Sequence, residues 1–137
     1  MITLSLAKWL EQEGFGTLEA DIFWEEIALD NDGKPKDGIW VVSRSPSVTR
    51  LNVGIQNFDI YARYANKITT EIKLKQILNR LQEAYGDVCT LPSVEPYSST
   101  AYINVTIEPV SGVENVGSDD QDKIVKVISG IVHYEEQ

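Results

Sequence analysis

The sequence predicts one α+β domain, and three observations carry that expectation. A long stretch near the middle has apolar residues at helical spacing, a shorter one opens the chain, and four to five β-rich segments surround them. Apolar positions recurring every three or four residues mark one face of a helix, whereas alternation marks a strand with one buried side. With 137 residues the chain has the length of one ordinary domain, so 1–137 is read as a single unit that needs no disulfide or metal to stabilise its core.

Ile2, Leu6, Trp9 and Leu10 place an amphipathic helix over Thr3 to Glu13. Gly14 follows as the residue that tolerates a left-handed helix end, which sets Phe15 against Leu10 in a Schellman cap. Gly14-Phe15-Gly16 is a poor phosphate loop, because no strand precedes it and no further glycine completes the fingerprint. Ile22 to Leu29 and Gly38 to Ser43 are β-rich, flank a polar stretch from Asp30 to Asp37, and are expected to pair as a hairpin. Asp30 and Asp32 do not make a calcium loop: Pro35 stands where that loop needs glycine, and Val41 where it needs a closing acid.

Leu51, Val53 and Ile55 alternate on one parity, and Phe58, Ile60, Ala62 and Tyr64 on the other. A β-bulge at Gln56-Asn57 would keep both sets on one core, and two partly buried faces are the alternative. The long helix is expected from Lys67 to Tyr85, with Leu74, Ile77, Leu78, Leu81 and Tyr85 inward, Asn66 as N-cap and Gly86 just past its end. Ile103, Val105 and Ile107 mark a strand over Ala101 to Glu108. The segment Lys123 to Tyr134 is apolar on both parities, Val125, Val127 and Ile131 on one and Ile124, Ile128, Val132 and Tyr134 on the other. Such a strand is central in its sheet or covered by a partner subunit. Between these strands, 109–122 has the glycines, serines and acids of an exposed loop.

Composition narrows the function. A chain with 42% hydrophobic and 24% charged residues is globular, and its apolar runs are too short to cross a bilayer. The first ten residues do not read as a signal peptide, so folding in a cytoplasm is expected. A net charge of −9 opposes tight nucleic-acid binding, which needs clustered lysine and arginine. One histidine, His133, and one cysteine, Cys89, leave no histidine pair, thiolate cluster or internal disulfide, and no nucleophile motif accompanies either. No cofactor or metal is expected. The carboxylate groups Glu25 with Glu26, Asp30 with Asp32, and Asp119, Asp120 with Asp122 are expected on solvated faces, and Trp9, Trp24 and Trp40 as core or interface anchors. The chain is therefore expected to build or bind rather than to catalyse.

The order of segments carries a resemblance. A short helix runs into Gly14-Phe15-Gly16-Thr17-Leu18, then come Asp21-Ile22-Phe23-Trp24, a strand through Asn57-Phe58-Asp59-Ile60-Tyr61-Ala62-Arg63, a long helix and two final strands. Together these resemble the minor capsid proteins of tailed bacteriophages, similar to tail terminator or head-tail joining proteins, over nearly the whole chain. The resemblance implies a tail-terminator-like α+β fold, a mainly antiparallel sheet of four to five strands packed against one long and one short helix. It also implies a virion protein of the neck or tail end, made in the bacterial host cytoplasm, that caps the tail tube. The partners implied are further copies in a ring, commonly hexameric, together with tail-tube and head-connector proteins; a monomer in isolation is compatible with this. No catalytic residue is implied. Val125, Val127, Ile128, Ile131, Val132 and Tyr134 are the candidate subunit interface, and Glu114, Asp119, Asp120 and Asp122 the candidate lumen or partner loop. A ligand-binding or enzymatic domain using acidic residues is the alternative, and would require a pocket with convergent polar groups. An acidic mimic of DNA fits least, because the acids cluster in turns.

Overall fold

In the computed structural model, which describes residues 2–44, 48–50, 52–119 and 123–136, two long strands organise everything else. Strands β4 (Val53–Tyr64) and β8 (Ile124–Glu136) run antiparallel and pair without a break from Val53 opposite Glu135 to Tyr64 opposite Ile124. β2 (Gly38–Ser43) and β3 (Val48–Arg50) lie end to end along the outer side of β4. Likewise β6 (Tyr102–Pro109) and β7 (Glu114–Ser118) lie along the outer side of β8. Two three-residue strands, β1 (Ile22–Trp24) on β2 and β5 (Cys89–Leu91) on β6, complete one eight-stranded sheet. Helices α1 (Ile2–Gln12) and α2 (Lys67–Ala84) pack on its concave side.

This architecture corrects the expected fold class. The molecule is mostly sheet, curled into a half-barrel with two helices, rather than four to five strands on a long helix. The shortfall has a physical source. β3 and β5 are each too short to show alternation, and β7 has no buried face to pattern its sequence, whereas β1 lies within the expected segment Ile22 to Leu29 but covers only its first three residues. β7 lies inside the stretch expected as an exposed loop at 109–122, and its side chains are largely exposed.

Two local expectations also fail. β1 pairs with β2 in parallel, Ile22 opposite Ile39 and Trp24 opposite Val41, so these segments are not a hairpin. Glu25 takes a left-handed φ of 64° and the Glu26 N–H bonds the Trp24 carbonyl at 2.7 Å, which ends β1 in a tight γ-type turn. Residues 25–37 then make the crossover that a parallel pair requires. At Gln56-Asn57 the register with β8 is continuous, so no bulge is present and the two apolar sets face opposite sides: Phe58 and Ile60 are buried, whereas Val53 and Ile55 are exposed and their face is buried only farther along, at Asp59 and Arg63. Leu51 lies outside the described residues.

The helix ends follow their sequence signals. The Phe15 N–H bonds the Leu10 carbonyl and the Gly14 N–H that of Glu11, both at 3.0 Å, with Gly14 at φ 88°. Asn66 caps α2 by accepting from the Ile68 and Thr69 N–H groups. Leu74, Ile77 and Leu81 turn inward from α2, while Tyr85 is the C-cap and is exposed. Lys73 donates to the Phe15 carbonyl and Arg80 forks onto Glu13, which fastens α2 to the end of α1. α1 is buried on nearly every side, including Leu4, Ala7 and Leu10.

The core forms where these helices meet Ile39, Val41, Phe58, Ile60, Ala62, Ile107, Ile128 and Val132. Gly130 faces Phe58 across the β4–β8 pair, and a Cβ there would lie 2.5 Å from the Phe58 ring and 3.0 Å from the Glu108 carbonyl oxygen. Phe58 is fully buried and has nowhere to move. Gly130→Ala is therefore expected to lose about 1–3 kcal/mol, read as a lower urea midpoint at unchanged slope.

Candidate functional site

Strand side chains alternate between faces, so pairing register decides what meets on the side of the sheet away from the helices. There the register aligns Phe23, Trp40, Tyr61, Val127 and Glu114 in one row across five strands. Trp40 and Tyr61 are stacked, centroids 5.1 Å apart at 13°, and both remain half-buried. Burial, with Asp59 beside it, raises the Tyr61 pKa. The next row holds Val42, Asp59 and Ser129, with the Ser129 hydroxyl donating to Asp59 at 2.6 Å. Beyond it lie Asn57, Ile131 and Glu108. The face is thus an aromatic and aliphatic band edged by polar groups.

One end of this face is closed by a buried arginine. Arg63 pairs with Val125 on β8, and its side chain is 3% exposed. Its guanidinium bonds Asp119 in the β7–β8 turn, the Pro35 carbonyl at 2.9 Å and Asp37 at 3.2 Å. Lys123 also reaches Asp37, at 3.0 Å. Arg63 therefore joins the crossover, β4 and the β7–β8 turn, and these bonds help make its burial tolerable.

Alternation on β8 divides the candidate interface residues. Ile128, Val132 and Tyr134 belong to the chain's own core, 0%, 0% and 4% exposed, and are corrected to fold residues. Val125, Val127 and Ile131 lie on the other face; Val127 is buried at 9% and the other two are half-buried. β8 is thus central in its sheet, one of the two situations its apolar pattern predicts. Glu114 stands exposed at the end of the aromatic row, and Asp119 is engaged by Arg63. Asp120 and Asp122 lie outside the described residues.

The remaining acids are largely used locally. Asp30 accepts from the Asp32 and Lys34 N–H groups at 2.9 and 3.0 Å, and the Lys34 bond leads in lowering its pKa. Glu25 accepts from the Thr3 and Ser43 hydroxyls at 2.8 and 3.0 Å. His133 is exposed on β8, and Cys89 is half-buried, its thiol pKa raised chiefly by burial. Among the described residues no group of three His, Cys, Asp or Glu side chains could hold a metal ion, and no helix is long and apolar enough to cross a membrane. Sequence reading missed Phe23, Tyr61 and Arg63 as site residues, because only cross-strand register brings them together. No protein-family model matches the chain, and no curated protein matches it.

Proposed function

We propose that this chain is a structural protein of a tailed phage or prophage, a tail terminator or head-tail joining protein without catalytic activity, that assembles as a ring at the end of the tail tube. The observation that carries assembly is the aromatic row on the helix-free face, where Trp40, Tyr61 and Val127 are flanked by Val125 and Ile131. A second copy of this chain is its occupant. In a closed ring this face meets a different surface of the next subunit, so each copy needs both halves of one contact. The phage assignment rests on the order of segments in the sequence. The charge of −9 suits a conduit that DNA must pass without adhering.

The test is electron microscopy of tail-tube protein polymerised with and without this chain. Density confined to tube ends together with shortened tubes is the expected result. Tubes of unchanged length with bare ends would overturn the assignment.

A further inference from the structure

At the β1 edge of the sheet, where the chain leaves β1, lies a cleft of about 300 Å³ lined by Glu19, Phe23, Trp24, Glu26, Ile27 and Ala28. That is roughly ten times the ~30 Å³ share of one water, room for one long side chain. Phe23 is buried at its floor, and Trp24 forms a half-buried wall. Tyr97 stands against Trp24 with ring centroids 5.6 Å apart at 56°, and is itself 53% exposed. Its hydroxyl donates to Glu19 at 2.9 Å, which ties that carboxylate to Tyr97.

We propose that this cleft binds an arginine side chain presented by a partner polypeptide. Two acidic and two aromatic residues line one cavity, and among the described residues neither Glu19 nor Glu26 makes an ion pair with a lysine or arginine. One bond from Tyr97 leaves Glu19 with further acceptor capacity, since a carboxylate takes about four. Glu25, between Trp24 and Glu26, turns its carboxylate away to Thr3 and Ser43, so the acids of this turn divide into one used by the fold and one left at the cleft. The chemistry selects a cation and repels phosphates and carboxylates. It selects guanidinium over ammonium, because a planar guanidinium stacks on an indole while donating in a fork to carboxylates, whereas ammonium is a compact, strongly hydrated point charge. Phe23 is both the floor of the cleft and the end of the aromatic row, so a polypeptide lying on that row could reach the cleft. The site stands independently of ring assembly.

The test is a titration of the ¹⁵N-labelled full chain with acetyl-Gly-Arg-Gly-amide, and with the same peptide carrying citrulline or lysine, followed by amide and indole N–H shifts. The arginine peptide is expected to move the Trp24 indole and the backbone signals of Glu19 and Glu26 to Ala28, the lysine peptide to bind more weakly, and citrulline to leave them in place. The Glu19→Gln/Glu26→Gln variant changes exposed side chains, is expected to keep the parent melt, and should weaken arginine binding about tenfold or more. Absence of shifts with the arginine peptide, equal shifts with citrulline, equal affinity for lysine, or undiminished binding by the folded double variant would each overturn the proposal.

Discussion

Leu81→Asp is expected to abolish the cooperative melt, leaving a chain whose near-ultraviolet circular dichroism is flat at 25 °C. Leu81 is 1% exposed on the inward stripe of α2, one turn on from Ile77. The substitution removes about 2–5 kcal/mol of packing and places a carboxylate where no partner stands, adding several more. Domains of this size have only about 5–15 kcal/mol to lose. Gln82→Asp, one residue along on the exposed face, is expected to stay within about 0.5 kcal/mol of the parent. A cooperative melt retained by Leu81→Asp would mean that α2 presents a different face to the sheet.

The Arg63 cluster gives the second large effect, and its signature is an asymmetry. Arg63→Ala leaves Asp37 and Asp119 behind, but these side chains are 42% and 29% exposed and water can rehydrate them. A loss of about 2–3 kcal/mol is expected, below the ~3–5 of a fully buried broken pair. The Asp37→Asn/Asp119→Asn variant instead removes the charge of both these carboxylates from beside a guanidinium that is 3% exposed, and should cost more than Arg63→Ala. Urea unfolding of the variants side by side decides this. If the arginine variant is the less stable one, the cluster stabilises through packing of the side-chain stem and not through its charge.

How much was legible in the sequence follows the range of the interactions. Helix ends are local, so Gly14, Asn66 and Gly86 marked them correctly from residue type alone. The two-sided pattern of β8 was visible because it depends only on alternation within one segment. The parallel β1–β2 pair was not, since two β-rich segments around a polar stretch look alike whether the chain reverses once or crosses over. β7 was hidden because an exposed strand that buries neither face carries no hydrophobic period. Of the candidate interface residues, Val125, Val127 and Ile131 lie on the helix-free face and Ile128, Val132 and Tyr134 in the core, because a two-sided strand does not say which side its own helices cover. Arg63 lay unnoticed inside the apolar run of β4, and its partners Asp37 and Asp119 are 26 and 56 residues away along the chain.

Assembly through the aromatic row is tested most directly by native mass spectrometry and light scattering of the full chain over rising concentration, alone and with tail-tube protein, beside Tyr61→Glu. The expected result is a single closed oligomer of the parent, in one of the two mixtures, that Tyr61→Glu prevents while keeping its fold. A parent chain that stays monomeric at every concentration with tube protein present, or a Tyr61→Glu variant that assembles as the parent does, would contradict it.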